Sequence, residues 1–519
     1  VTLGPGLLGE VYDGLQNSLP ALARADGFFL RRGAQGAALD PQRRWMFEPA
    51  VRPGETLHPG DTLGFVAEGA IRHRVLVPAL GADAIEVKWI ERGEFGVEEV
   101  VAEAADRDGR LRPLGLAQRW PVRRPFGEPF LRAGRCERVL PHRQLVTGQR
   151  IIDTFFPIAL GGTGCIPGPF GAGKTILQGL IARFANVDVV VIVACGERAG
   201  EVVETLTEFP SLPDPRTGGT LADRTVIVCN TSSMPVAARE SSIYAGVTIG
   251  EYYRQMGLDV LVIADSTSRW AQALRETSGR MEEIPGDEAY PAYLDSSIRA
   301  LYERAGVLRF PDGSQGSLTI IGTVSPAGGN LEEPVTQATM STVKTFLGLS
   351  AERAYRRAFP AIDPLLSWSR YPAQLAAWLD ERVGPQWRTD ADAILDLVRR
   401  GGDVERLMEV TGEEGVTLDD FVVREKARLA DEVYLQQDGF DSVDRAMPLE
   451  RSAARLRLLR RVVGAAYAFA DKASARERFA QVAAAFRNLN YSAPGSEAEA
   501  RYLAEIDALI AGVSFAAAP

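Results

Sequence analysis

The sequence predicts an α/β protein: a parallel-sheet core with a phosphate-binding loop, a β-rich module before it and a helical domain after it. Three observations predict this. Gly168-Pro169-Phe170-Gly171-Ala172-Gly173-Lys174-Thr175 fits the pattern G-x-x-x-x-G-K-[ST] at every fixed position. Around it, short β-branched runs alternate with helical stretches, the order that builds parallel sheets. Beyond about residue 375, helix formers dominate.

The loop explains its own spelling. Backbone N–H groups must wrap a polyphosphate closely, so glycines occupy the turns. Lys174 brings a positive charge to the outer phosphates, and the Thr175 hydroxyl is offered to Mg²⁺. A helix must open there, because a helix N-terminus presents free N–H groups and the positive end of a dipole. Ile176, Leu177, Leu180, Ile181 and Phe184 keep the period of one helical face, and Cys165-Ile166 before the loop reads as a strand end. The loop is predicted to bind a nucleotide.

The chain has 519 residues, about three domains' worth, with 46% hydrophobic and 24% charged residues. Its net charge of −10 argues against a nucleic-acid surface. Cys136, Cys165, Cys195 and Cys229 show no paired spacing, and His58, His73 and His142 are too scattered for a zinc site. No run is long enough for a membrane span, and no signal peptide is visible. A reducing, cytoplasmic location is therefore expected, with any membrane link made through partners.

In chain order, residues 1–20 read as loops, and their abrupt start suggests a missing upstream segment. Residues 21–118 read as a β-rich module, with alternation in Thr62–Val66 and Arg74–Val77 and an acidic face or hairpin from Glu91 to Asp108. A Pro-rich linker, residues 121–129, lies at the start of the nucleotide-binding core at 119–375. Its strand candidates are Val189–Cys195, Thr225–Asn230, Val260–Ala264 and Ser317–Thr323, apolar runs suited to a sheet covered on both faces. In the helical domain at 376–519, Leu449, Leu456, Leu459, Val463 and Tyr467 share a helical period. A last helix runs through Tyr502, Ile506 and Leu509, and the Ala-rich tail is either its continuation or a frayed end.

Asp265 ends the strand Val260–Ala264, the place of an acidic residue that holds Mg²⁺. Hydrolysis also needs a group that orients water. Glu197, in Cys195-Gly196-Glu197-Arg198, ends the strand after the phosphate-loop helix and is the best candidate. An ion pair of Glu197 with Arg198 or another local charge is the competing reading. Glu201 and Glu204 read as solvated. Arg198 is placed to contact phosphate or a neighbouring subunit, and no arginine declares itself as an activating finger.

Several stretches resemble one family, the catalytic A subunits (alpha chains) of V-type and archaeal A-type rotary ATPases. They are the loop 168–175, Leu3-Gly4-Pro5-Gly6-Leu7-Leu8, Trp120-Pro121-Val122-Arg123, Thr147-Gly148-Gln149-Arg150-Ile151-Ile152-Asp153, Cys195-Gly196-Glu197-Arg198, Asp265-Ser266-Thr267-Ser268-Arg269-Trp270 and Pro334-Val335-Thr336-Gln337-Ala338-Thr339. The resemblance spans nearly the whole chain. It implies a P-loop NTPase core of the RecA-like kind, with ATP as substrate and Mg²⁺ as cofactor. It also implies a hetero-hexamer with alternating B-type subunits around central stalk subunits, and ATP hydrolysis or synthesis coupled to proton or sodium movement through a membrane rotor. The complex would sit on the membrane periphery.

On this resemblance Glu197 is the catalytic glutamate and Arg198 a phosphate contact. Phe170 is the loop aromatic near the nucleotide, and Phe359 packs on adenine, with a core role for Phe359 as the plain alternative. The arginine finger is expected from the B-type partner. The β-rich module corresponds to the insertion that separates these subunits from F-type β subunits and from flagellar or secretion ATPases. The family's N-terminal β-barrel is expected to be lacking before Leu3, which puts assembly in question, and Ala172 stands where eukaryotic relatives carry a redox-sensitive cysteine. A non-catalytic nucleotide-binding ring subunit is the alternative function, against which Lys174, Thr175 and Glu197 argue together. A nucleic-acid translocase of the Rho type would need a nucleic-acid-binding barrel and basic loops, which the sequence does not display.

Overall fold

The structure, a computed structural model, describes residues 1–27, 29–79 and 84–511. They form two compact units. One comprises Val1–Pro141, Leu160–Cys165 and Val187–Val343, and the other His142–Ala159, Ile166–Asn186 and Lys344–Pro519.

Within the first unit, two four-stranded sheets make the β-rich part. Thr62–Glu68 and Ile71–Leu76 pair antiparallel with Glu68 opposite Ile71, and Gly69 takes the positive φ of 59° that the two-residue turn requires. Trp45–Pro49 buries Trp45 and Phe47 while exposing Met46 and Glu48, the alternation of a half-covered strand. In the acidic segment, Val100–Ala105 turns Glu103 outward and buries Val101, Ala102 and Ala104. One element departs from expectation: Leu19–Asp26 is a helix, capped by Ser18, whose hydroxyl accepts from the Ala21 N–H, with Pro20 in its first turn. Residues 1–20 also contain two short strands, Thr2–Leu3 and Val11–Tyr12, too brief to leave a periodic signal.

The sheet of this unit runs Val11–Tyr12, Thr225–Thr231, Val189–Glu197, Asp259–Asp265, Gln315–Val324, then Thr163–Pro167, the strand at which the chain leaves the unit. The pairs formed by Val189–Glu197 with Thr225–Thr231 and Asp259–Asp265 are parallel, as is that of Asp259–Asp265 with Gln315–Val324. Residues Val189 to Cys195 are all buried, which is why their run is uniformly apolar rather than alternating. Helix Val236–Gln255 lies close on this sheet. A Cβ on Gly250 would meet Leu318 Cδ1 at 2.8 Å and Val262 Cγ2 at 2.9 Å, so only glycine allows the approach. The Pro-rich linker is stapled to the same unit: the Phe126 N–H donates to Glu251 Oε2 at 2.8 Å, and Arg304 Nη1 donates to the Val122 carbonyl at 2.8 Å.

A buried polar cluster ties the β-rich part to helix Val236–Gln255. Glu68 Oε2 lies 2.6 Å from His73 Nδ1, His73 Nε2 lies 2.9 Å from the Tyr252 hydroxyl, and Glu68 Oε1 accepts from the Gly6 N–H at 2.6 Å. Burial alone would raise the Glu68 carboxyl. The hydrogen bond and charge of His73 and the N–H groups of Gly6 and Leu8 more than offset burial and hold it below its ordinary value of 4.5. A depressed carboxylate stabilises the fold fully above its unfolded value and loses that contribution as pH falls through the folded value. Glu68→Gln is thus expected to destabilise the chain by about 1–3 kcal/mol near neutrality, with the deficit shrinking on acidification. Urea melts of both proteins at pH 7 and pH 4 check it; an equal deficit at both contradicts the assignment.

The second unit carries helix Lys174–Phe184 and most of the helical sequence: Pro372–Val383, Gln386–Thr411, Leu418–Ala430, Leu449–Gly464, Lys472–Tyr491 and Glu497–Ala511. Thr417 and Asp471 cap two of these by accepting from Asp420 and Ser474 N–H groups. Leu449, Leu456, Leu459 and Val463 are buried on one helix as their spacing predicts, but Tyr467 is not on it. Ala465 takes an extended conformation that ends the helix, and Tyr467 instead stacks on Phe469 with ring centroids 5.5 Å apart. Tyr502, Ile506 and Leu509 lie on the last helix, with Ile506 buried. The Ala-rich tail, residues 512–519, lies outside the described residues. No helix among the described residues is long and apolar enough to cross a membrane.

Candidate functional site

The second unit holds the phosphate loop. Strand Thr163–Pro167 ends at Pro167 and helix Lys174–Phe184 starts at Lys174, so residues 168–173 form a tight connection between them. Gly171 and Gly173 have φ of 79° and 83°, the left-handed region that side chains avoid. A Cβ on Gly168 would meet Leu349 Cβ at 2.7 Å. Lys174 Nζ donates to the carbonyls of Gly168 at 2.7 Å and Pro169 at 3.0 Å, which folds its ammonium over the loop. Thr175 is exposed in the first helical turn, Ala172 is buried, and the Phe170 ring is 79% exposed.

Beside the loop is a cavity of about 500 Å³, lined by Gly171, Ala172 and Gly173 on one side and by Phe359, Phe440 and Tyr491 among its other walls. The Phe359 ring covers the loop: its Cε2 would be 3.6 Å from a Cβ on Gly173. Phe359 is half-buried rather than part of the closed core. The sequence pointed to Phe359 but not to Phe440 or Tyr491. These sit about a hundred residues further on, in a glycine-containing loop and at a helix end, with no motif to mark them.

The first unit holds the carboxylates. Glu197 ends Val189–Glu197 and Asp265 ends the neighbouring parallel strand Asp259–Asp265, whose register sets Ala194 opposite Asp265. Both therefore stand at the same C-terminal edge of the sheet, where ligands of open α/β sheets bind. The strand bulges between Cys195 and Glu197, and Gly196 takes φ 77°. A Cβ there would meet Arg269 Cβ at 2.9 Å and Arg239 Cδ at 3.0 Å, so the glycine is required. The Glu197 carbonyl accepts from the Ser232 N–H at 3.0 Å, which fixes the strand tip.

Burial first, then the negative charge of Asp265 and the hydrogen bond and charge of Glu201, push the Glu197 carboxyl up to about 7, against the pull of Arg269. Asp265 Oδ1 accepts from Thr323 Oγ1 at 2.7 Å, which orients it. Arg198 is exposed at the start of helix Ala199–Thr207. Glu201 is not the purely solvated residue its spacing suggested, since it lies one turn along and acts on Glu197. Arg269 was also missed as part of this edge, although it stands in the stretch after Asp265. Each unit thus carries a hard oxygen donor of the kind that suits Mg²⁺, the Asp265 carboxylate in the first and the exposed Thr175 hydroxyl in the second. Among the described residues no group of three or more His, Cys, Asp or Glu could hold a metal ion.

Residues 148–369 match the ATP synthase alpha/beta family nucleotide-binding domain, 36–123 the ATP synthase alpha/beta subunit barrel-sandwich domain, and 376–473 the C-terminal domain of V and A type ATP synthase. The V-type ATP synthase alpha chain 1 of Treponema pallidum is 55% identical over 99% of this chain and 85% of its own length. The V-type ATP synthase alpha chain of Treponema denticola is 54% identical over 96% of this chain and 82% of its own, and that of Borrelia duttonii 52% over 92% and 80%. Among solved structures, an ATPase from a type III secretion system of pathogenic bacteria shares the fold at a TM-score of 0.54, with 22% identity over 88% of this chain and 99% of that chain. Both the identity and the coverage assign the chain: it belongs to the ATP synthase alpha/beta family, among the V-type ATP synthase alpha chains.

Proposed function

We propose that the chain is the catalytic subunit of a rotary V/A-type ATPase, hydrolysing or synthesising ATP in a complex that moves protons or sodium ions across a membrane. In this reading the loop 168–173, through its backbone N–H groups (Pro169 has none), and the Lys174 ammonium hold the ATP phosphates, and Phe359 with the cavity beside it takes the adenine. Glu197 accepts a proton from the attacking water, and Arg198 contacts phosphate. Asp265 and the Thr175 hydroxyl are the residues that would hold Mg²⁺, and the ion would supply positive charge to the phosphates.

The observation that carries the reading is the pair of strand tips, Glu197 and Asp265, at the C-terminal edge of adjacent parallel strands. A phosphate loop alone fits any nucleotide binder; a second carboxylate beside the metal-holding one is what water activation requires. Division of the chain at 21–118, 119–375 and 376–519 belongs to the same proposal. So does assembly with B-type subunits in an alternating hetero-hexamer on central stalk subunits, peripheral to the membrane on its cytoplasmic face.

Phosphate release from Mg-ATP by the chain alone, and after co-expression with its B-type partner, tests this. Turnover is expected only from the co-expressed complex, since the activating arginine is assigned to the partner. A complex that sizes as a hetero-hexamer and binds ATP without releasing phosphate contradicts the catalytic reading.

A further inference from the structure

The motif Thr147-Gly148-Gln149-Arg150 is not used by the mechanism above, yet it holds a buried and heavily bonded arginine. Arg150 is 1% exposed. Its guanidinium pairs with Asp444 and donates from Nε to the Tyr434 carbonyl at 3.1 Å and from Nη2 to the Gln436 carbonyl. Its own N–H donates to Gln437 Oε1 at 2.7 Å. Gln437 closes the circle: Nε2 donates to the carbonyls of Gly148 at 2.8 Å and Asp444 at 2.6 Å, and its N–H donates to the Phe359 carbonyl at 2.7 Å. The Asp438 N–H donates to Asp444 Oδ2 at 2.8 Å, and Gln149 Nε2 to the Arg445 carbonyl at 2.8 Å.

The segment held this way is a wall of the cavity beside the phosphate loop, contributing Gln436 to Phe440 and Asp444. It also touches the aromatic floor. A Cβ on Gly439 would meet Phe359 Cε1 at 3.1 Å and Leu180 Cδ1 at 3.0 Å, so the distance between wall and floor is set at that glycine. Stability is a weak reason for such a cluster, because a buried ion pair replaced by apolar groups of similar volume often costs nothing. What the planar, forked guanidinium supplies is orientation: it addresses a carboxylate and two carbonyls at once, which a lysine ammonium on a flexible stem does not.

We propose that Arg150 is a positioning residue for the nucleotide base, fixing the wall 436–444 against Phe359 so that the cavity fits a purine ring. The proposal rests on reading loop and cavity as one nucleotide site. It separates the base from the phosphates: Arg150 acts on the part of the ligand that inorganic triphosphate lacks.

Equilibrium binding of Mg-ATP and of magnesium tripolyphosphate to the full chain reads this split, with wild type, Arg150→Lys and Arg150→Met. Arg150→Lys is expected to weaken ATP about tenfold, the scale of one lost charge-assisted hydrogen bond, with tripolyphosphate within about twofold of wild type. Arg150→Met should widen the gap, and Arg150→Lys alone decides if that variant does not fold. Unchanged ATP affinity in Arg150→Lys overturns the proposal, as does an equal loss for both probes, which marks a merely structural role. Tripolyphosphate binding without ATP preference in the wild type refutes the base site itself. A wild type that binds neither probe overturns the nucleotide reading and the proposal with it.

Discussion

Replacing Glu197 with Gln is expected to lower turnover by roughly 10²–10⁴-fold, the usual worth of a positioned general base, while ATP remains bound. The amide matches the carboxylate in size and cannot accept a proton from water. The strand tip is held by its backbone, through the Glu197 carbonyl and the Ser232 N–H. Removing one negative charge beside Asp265 also relieves the repulsion that, after burial, raises the Glu197 carboxyl. Binding of Mg-ATP should therefore be retained or tightened. Steady-state phosphate release and nucleotide retention in the complex with the B-type partner check both halves. Equal loss of binding and turnover would mean a structural role.

Lys174→Ala is expected to act at the earlier step, weakening ATP binding roughly ten- to hundredfold, as the loss of hydrogen bonds from a charged donor does. The ammonium has two tasks. It closes the loop through the carbonyls of Gly168 and Pro169, and in the proposed function it supplies positive charge to the outer phosphates. Gly173 before it and the exposed Thr175 after it carry no charge. Calorimetric titration with Mg-ATP measures the effect; affinity within twofold of wild type contradicts the assignment. The two variants separate binding from chemistry, and their order in the cycle predicts that the double variant behaves like Lys174→Ala.

What could be read in the sequence follows from how local its cause is. The four central strands are apolar because both sheet faces are covered, and burial of that kind writes itself directly into consecutive residues. The phosphate loop is legible because φ near 80° at Gly171 and Gly173 admits almost nothing but glycine. Glu197 and Asp265 are legible as strand-end carboxylates because strand ends are local too. The cavity beside the loop was only half legible. Phe359 stands in the resemblance, but Phe440 and Tyr491 line the same cavity through the tertiary fold, which leaves no spacing to read.

The same limit accounts for the misreadings. Tyr467 kept the period of a helix that had already ended at Gly464, because periodicity does not see a single extended residue such as Ala465. The helix Leu19–Asp26 hid in a stretch taken as loop and strand, though Ser18 and Pro20 spell its start. Glu201 looked solvated from its place one turn past Glu197, whereas its effect on that carboxyl depends on how both side chains are turned.

The most direct measurement is a single turnover of radiolabelled ATP bound to the chain in complex with its B-type partner, with wild type and Glu197→Gln side by side. Acid quenching of the wild-type complex should return the label as phosphate, and quenching of the variant should return intact ATP over the same interval. Phosphate formed in the variant at the wild-type rate would contradict Glu197 as the base and, with it, the chemistry assigned to this site.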